Sequence, residues 1–296
     1  MKKFAIILSF FFIYFHGYSQ QSSIYSQYMF NGLAINPAYA GHDEALSLTF
    51  LGRMQSVGLE GAPNTQTLSG HTQIKKDKIG IGLQLFHETI GVTEQSGIYF
   101  SYSYLLKYKQ YTISLGLQGG ANFYKTDYTK LLVNDPGDPV FQSDIRTTTP
   151  NFGSGVFISS DLLYVGISMP QMLTTSNSEI IQEKPLFIYG GYVFELTTFL
   201  KLKPSTLVKF VNGQAVELNI NASILLNDLL WIGVSYRPDN AFVLLLELQA
   251  SEQLTIGYAH DFTLNQLRTV DSGSHELMLN YRFNFSQKGV SSPRYF

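Results

Sequence analysis

Two places in the sequence have the residue types of a reaction centre, and spacing disposes of both. His260 and Asp261 are adjacent, the pair an aspartate-assisted general base would need. Neighbours on a strand point to opposite faces, however, so on the alternating segment that carries them they cannot meet. Gly166-Ile167-Ser168-Met169-Pro170 approaches a Gly-x-Ser-x-Gly nucleophile elbow but lacks its last glycine. His42, His71, His87 and His275 are scattered without metal-ligand spacing. Asp135, Asp138 and Asp144 share a long loop and have the oxygen chemistry of a Ca²⁺ site, but Asn134-Asp135-Pro136-Gly137-Asp138 reads first as a turn. With 0 Cys, thiolate metal sites, Fe–S clusters, disulfides and cysteine nucleophiles are excluded. No nucleophile–base pair can be assembled, so the expectation is a chain that is not an enzyme and holds no cofactor or metal.

The composition points to a different kind of function. Charged residues are 14% of the 296, against roughly 25% in soluble proteins. The 19 Tyr, 22 Phe and 1 Trp exclude a disordered chain, and a net charge of −2 gives no reason to expect nucleic acid as a partner. The first residues read as an export signal: Lys2-Lys3, an apolar run from Phe4 to Phe15, then small residues at Gly17 and Ser19. We expect a signal peptide over 1–19 and a mature start at Gln20.

After that segment, alternation recurs. Ile79, Ile81, Leu83 and Leu85 oppose Gly80, Gly82 and Gln84; Val216, Leu218, Ile220, Ala222 and Ile224 oppose Glu217, Asn219, Asn221 and Ser223. Leu277, Leu279, Tyr281 and Phe283 oppose Glu276, Met278, Asn280 and Arg282. Period two marks strands, and in an exported chain apolar-out, polar-in segments of about 10 residues fit a transmembrane β-barrel. The pattern predicts about fourteen antiparallel strands, an even number as bacterial barrels require: Ala45–Gln55, Asn64–Ile74, Lys78–Glu88, Ser96–Tyr108, Gln110–Lys125, Phe152–Ser160, Leu162–Met169, Leu186–Glu195, Leu200–Phe210, Ala215–Leu226, Leu229–Arg237, Ala241–Ala250, Glu252–Phe262 and His275–Phe285. In Ala241–Ala250 neither face suits water, which argues against a soluble sandwich. Nine of the 10 prolines fall outside these strands; Pro204 is the exception, and a bulge or boundary shift is expected there.

The connections supply an independent test. Even-numbered ones are short (Lys75-Lys76-Asp77, Lys109, Asp161, Asn227-Asp228, Ser251), while Thr126–Asn151, Pro170–Pro185 and Thr263–Ser274 are all odd. That parity is the barrel rule of tight periplasmic turns and long external loops, and it puts both termini in the periplasm. The organisation expected is therefore a plug or periplasmic segment over 20–44, a barrel over 45–285 and a periplasmic tail over 286–296. Parity also sends Arg53, Glu217, Arg237, Glu247 and Arg282 into the lumen, where a network is expected to join Glu217 and Glu247 to Arg237 across neighbouring strands, with Arg53 and Arg282 on the first and last strands. Tyr128, Asp135, Asp138, Phe141 and Asp144 are the candidate partner-binding residues of the longest external loop.

The polar-aromatic stretch Tyr25-Ser26-Gln27-Tyr28-Met29-Phe30-Asn31, followed by Asn36-Pro37-Ala38-Tyr39-Ala40-Gly41, breaks both helix and strand periods. With Arg53, Gly61-Ala62-Pro63-Asn64-Thr65, the closing strand Gly273–Phe283 and the end Ser292-Pro293-Arg294-Tyr295-Phe296, it resembles the PorP/SprF family of Bacteroidota outer-membrane proteins. One departure is Ser56, which stands where the family pattern Arg-x-Gln-Trp has tryptophan. The resemblance spans the mature chain and implies an outer-membrane component of type IX secretion and gliding motility, embedded in outer-membrane lipid. It implies a role in exporting or holding at the surface a protein with a type IX C-terminal signal domain, with periplasmic type IX components as further partners. It also makes Tyr25, Gln27, Tyr28, Asn31, Asn36, Pro37, Tyr39 and Gly41 candidate partner-docking residues, against a simpler role in capping the barrel. Read from the residues alone, a pore or transporter for small or hydrophobic molecules stays open, because about fourteen strands enclose more space than wall side chains fill.

Overall fold

The computed structural model describes residues 25–43, 45–74, 78–131, 143–173, 183–283 and Tyr295; the expected signal peptide, most of the expected tail and Asp135, Asp138 and Phe141 lie outside them. The strands are β1 (Leu46–Met54), β2 (Asn64–Ile74), β3 (Ile79–Ile90), β4 (Thr93–Tyr108), β5 (Tyr111–Thr126), β6 (Ile145–Ser159), β7 (Leu163–Met169), β8 (Leu186–Tyr192), β9 (Phe194–Thr197), β10 (Leu200–Phe210), β11 (Glu217–Leu226), β12 (Leu230–Arg237), β13 (Ala241–Gln249), β14 (Leu254–Thr263) and β15 (Ser274–Phe283). All pairings are antiparallel between chain neighbours, and β1 pairs with β15 to close the sheet. Since β8 and β9 both pair with β10, they are two parts of one strand, and fourteen strands form the barrel.

Alternation holds around the wall. Phe50, Leu68, Leu83, Leu117, Ile220 and Leu246 are exposed on the outer face, as lipid requires. Ser47, Thr49, Thr67, Ser69, Asn219 and Asn280 are buried on the inner one. The even-numbered connections, each of four residues or fewer, share one rim, and the three longest, 127–144, 170–185 and 264–273, share the other, which also carries the short turns 91–92 and 238–240. The apolar inner face of β13 has its own reason: Val243 and Leu245 belong to one cluster with Phe157, Leu207 and the N-terminal Tyr28, Leu33 and Tyr39. They face a packed interior instead of water.

Two strand details differ from the sequence reading. β6 begins at Ile145, so the long connection is 127–144 and Pro150 lies in a strand. The pattern missed this because Arg146, Thr148 and Pro150 supply no apolar period. Pro150 is tolerated because β7 accompanies β6 only as far as Ser154. Pro204 leaves a gap instead of a bulge. Ser205↔Gly191 and Leu202↔Phe194 keep a common register, and no pair to β8 or β9 forms at Lys203 or Pro204 between them. One missing donor interrupts the ladder without shifting it; the register shift comes later, between Leu200 and Lys201.

Residues 25–43 run inside the barrel, toward β1 at the short-turn rim. Three 3-10 turns (Tyr28–Phe30, Gly32–Ala34, Pro37–Tyr39) keep the segment compact, and Tyr25 meets Thr67 (2.6 Å) in the half of β2 nearer the long loops. Of the two placements expected for this segment, periplasmic or plug, Tyr25 has the second and lies well up the lumen. The fit depends on missing side chains in the wall. Gly116 and Gly155 are register partners, and a Cβ on them would come within 2.1 Å of Ala38 N and of Asn36 Oδ1. Asn36, Pro37 and Ala38 therefore lie directly on backbone.

Gly116→Leu should leave the strands paired, with normal heat-modifiable migration on gels, but expel Asn36–Tyr39 from the wall. Limited proteolysis of the folded barrel should then cut within 25–43, which stays protected in the parent. Equal protection in both would refute this fit.

Candidate functional site

The site is the plugged lumen, and its strongest tie is a buried cluster near the long-loop end. Register places Arg53 opposite Glu276 across the β1–β15 seam, and Asp261 and Arg237 project inward from β14 and β12. Arg53 Nη2 bonds Asp261 Oδ2 at 2.7 Å and Nη1 bonds Glu276 Oε2 at 3.0 Å; Arg237 Nη1 reaches the same Asp261 oxygen at 3.1 Å. Two guanidiniums and two carboxylates balance, which lets charges stay buried. Ser26 sits at the centre. Its Oγ donates to Asp261 Oδ1 (2.7 Å) and accepts from Arg53 (2.8 Å) and Arg237 (2.9 Å), which saturates a hydroxyl. Glu276 takes the Ser26 and Gln27 backbone N–H groups on its two oxygens, each at 2.8 Å.

The rest of the motif is held by uncharged groups. Asn221 donates to the Tyr28 hydroxyl at 2.7 Å, and Ser69 donates to Asn31 Oδ1 at 3.0 Å. Asn36 Nδ2 donates to Val156 O (3.0 Å) while its Oδ1 caps Ala38 N (2.9 Å), with Pro37 at the first turn position. Ser168 donates to Ile35 O (2.7 Å) and Ser103 to Ala40 O (2.5 Å); the serine of the near-elbow motif is thus a wall contact. The Tyr39 ring packs on His42, His71 and Phe157, with centroids 5.0–5.4 Å away. Gly41 has φ +73 and touches Gly80. Tyr28, Gln27, Asn31, Asn36, Pro37, Tyr39 and Gly41 are buried and Tyr25 half-buried. These partner-docking candidates thus lie against the inside of their own barrel.

Arg53, Glu217, Arg237, Glu247 and Arg282 all belong to the inward parity, but the expected pairings do not form. Arg237 is opposite Ala241 while Glu247 is opposite Trp231, at the other end of β13. Arg282 is opposite Ser47 and Arg53 opposite Glu276, so these arginines also occupy opposite ends. Adjacency of strands is not adjacency along them. Glu217 instead pairs with Lys209 (2.9 Å). Arg282 approaches Asp43 (3.9 Å) and, with Glu247 and His71, lines a cavity of about 30 Å³ near the short-turn end, room for about one water. Asp261 and Glu276 were missed as lumen partners although their parity was legible. The inward lysines Lys201, Lys203 and Lys209 were hidden by the irregular pattern around Pro204.

At the short-turn end, the fully buried Lys203 Nζ donates to the Tyr295 carbonyl (2.7 Å) and lies 4.3 Å from the centroids of Phe30 and Trp231. At the other end, a cavity of about 130 Å³ separates the plug from Pro170, Gln171 and Pro185, lined also by Gln84, Phe86, Tyr99, Gln118 and Phe187. His260 is half-buried against His275 (ring centroids 4.6 Å) while Asp261 is buried inward, so the two face apart. Among the described residues no group of His, Asp or Glu could hold a metal ion. In the long connection Tyr128 starts a 3-10 turn, and Asp144 accepts from Thr129 N (3.2 Å) and Oγ1 (2.9 Å). Asp127 is held below the usual carboxylate range by hydrogen bonds from Lys130 and Lys125.

Glu276→Ala strands two backbone amides and leaves two arginines facing one aspartate, a loss of about 3–5 kcal/mol for a broken buried pair. Hydrogen exchange at the Ser26 and Gln27 amides should rise by at least about 100-fold, with Glu276→Gln in between because it keeps one acceptor. Unchanged exchange in Glu276→Ala would show that the cluster does not hold the plug.

Among solved structures, the chain is similar to the Acinetobacter baumannii outer membrane protein Omp33 (9% identity over 82% of this chain and 100% of that one, TM-score 0.48). It is also similar to the KdgM porin (11% identity over 80% and 99%, TM-score 0.37). No curated protein matches. Residues 17–281 match the family described as type IX secretion system membrane protein PorP/SprF. A closed antiparallel barrel with an apolar outer belt, matched over most of its length, belongs to that family of outer-membrane proteins.

Proposed function

We propose that this barrel is a closed, non-enzymatic platform of the type IX secretion and gliding apparatus in a Bacteroidota outer membrane. It aids export or surface attachment of a protein carrying a type IX C-terminal signal domain. In this reading an N-terminal signal peptide exports the chain, the short turns face the periplasm and its type IX components, and the long loops face outward. The observation that carries it is the plug: Ser26 and Gln27 are bonded to Glu276 on β15, Asn36 to Val156 on β6 and Ala40 to Ser103 on β4, three separate parts of the wall. Such a lumen is filled by its own chain, so function falls to the rims and loops, where rigid barrels display binding groups. The pore alternative would need that interior to empty. The cavity of about 130 Å³ is the feature that favours it, and that volume is far short of a path through the barrel.

Removing the chain from cells should move the partner from the cell surface into the medium, or leave it unexported, with small-solute uptake unchanged. Surface display that persists while uptake of a solute falls would select the transporter reading. Shortening the long connection within 135–141 should leave the barrel folded and inserted, and partner retention should fall.

A further inference from the structure

One stretch of the closed barrel has a strand edge without a neighbour among the described residues. β6 pairs with β5 along its whole length, from Ile145↔Thr126 to Thr112↔Ser159, whereas β7 accompanies it only from Ser159 to Ser154. Just beyond, Met172 N donates to Phe152 O at 2.8 Å, and Asn151 Oδ1 accepts from Met172 N and Leu173 N. These bonds close the edge at Phe152. Backbone groups on a strand alternate sides, so the N–H and C=O of Arg146 and Thr148 share the Phe152 side and point away from β5. Among the described residues nothing pairs with them. Arg146, Thr148 and Pro150 are all exposed.

The Arg146 end of the edge stands above the apolar belt, and Thr148 is level with the exposed Phe123 at the belt's margin. β4 and β5 have 16 residues each, about 54 Å of strand at 3.4 Å per residue, against an apolar belt about 25 Å tall. Tilt shortens that height but does not remove the excess. The outward residues at this level, Glu94, Lys125 and Arg146, are in register with one another and are polar where lipid would require apolar groups. Below them Phe152, 58% exposed, marks the belt. Pro150 lies between, and having no N–H it leaves no bare donor where the edge enters lipid.

The charges add a preference. Lys125 is engaged by Asp127 (2.9 Å) and Glu94 (3.5 Å). Arg146, directly opposite Lys125, has no ion-pair partner among the described residues. We propose that the Ile145–Pro150 edge is a strand-addition site: an extended segment of the secreted surface protein pairs with Arg146 and Thr148 and sets an acidic side chain against Arg146. This rests on the surface-attachment reading and names the surface that performs it.

The test is Thr148→Pro, which deletes an edge donor while leaving the β5–β6 ladder untouched, with Thr148→Val, which keeps the donor, as control. Thr148→Pro and the charge reversal Arg146→Glu should each keep normal heat-modifiable barrel levels and weaken retention, with the partner in the medium rising on the order of tenfold. Thr148→Val should retain it. If Thr148→Pro and Arg146→Glu both retain the partner while removal of the whole chain releases it, the edge is not the site and the platform reading survives. If removal of the whole chain releases nothing, both fall.

Discussion

The structure depends on one constraint: charges kept inside a barrel in lipid must be neutralised by one another. Arg53 and Arg237 meet Asp261 and Glu276, and the four close around Ser26 with every bond between 2.7 and 3.1 Å. The cluster joins β1, β12, β14 and β15, which include the first and last strands. The same side chains thus reinforce the seam and fasten the N-terminal segment. Neutral buried groups of this kind are weak sources of net stability but costly to leave half-paired. That asymmetry favours a plug that is fully seated over one that drifts.

Around that anchor the wall and plug are shaped for each other. At Gly80, Gly116, Gly155 and Gly257 a Cβ would come within 2.0–2.1 Å of a plug atom, so plug atoms rest on strand backbone. Opposite them, Phe157, Tyr164, Phe187 and Tyr189 are inward and buried in one apolar cluster with Tyr28 and Tyr39. A barrel whose lumen was filled by water would have no use for apolar inward residues such as Val243, Leu245 and Leu207. Their presence inside is a second sign, independent of the charges, that the interior is a packed core.

Much of the barrel was legible because period two is a strong signal wherever one face meets lipid. Strand number, seam and rim parity follow from apolar alternation in segments such as Ile79–Leu85 and Leu277–Phe283. The signal failed where lipid does not reach: the upper part of β6 is polar on its outer face, so Ile145–Asn151 read as loop. In the site, parity placed each charge on the correct face, but pairing needs height as well, which depends on strand stagger. Arg237 and Glu247 therefore looked like neighbours and stand at opposite ends of the lumen. The Tyr25–Gly41 motif was visible as irregular and polar-aromatic, yet nothing in it distinguishes a surface that binds a partner from one that binds its own wall. Only the glycines across the lumen decide that, and they lie on β3, β5, β6 and β14.

The central claim is that the lumen is closed by the chain's own N-terminal segment. The most direct measurement is the conductance of the purified full-length barrel in planar bilayers, beside a form lacking 25–43. The account predicts a silent parent and discrete, stable channels from the shortened form. Sustained single-channel conductance from the intact chain would contradict it.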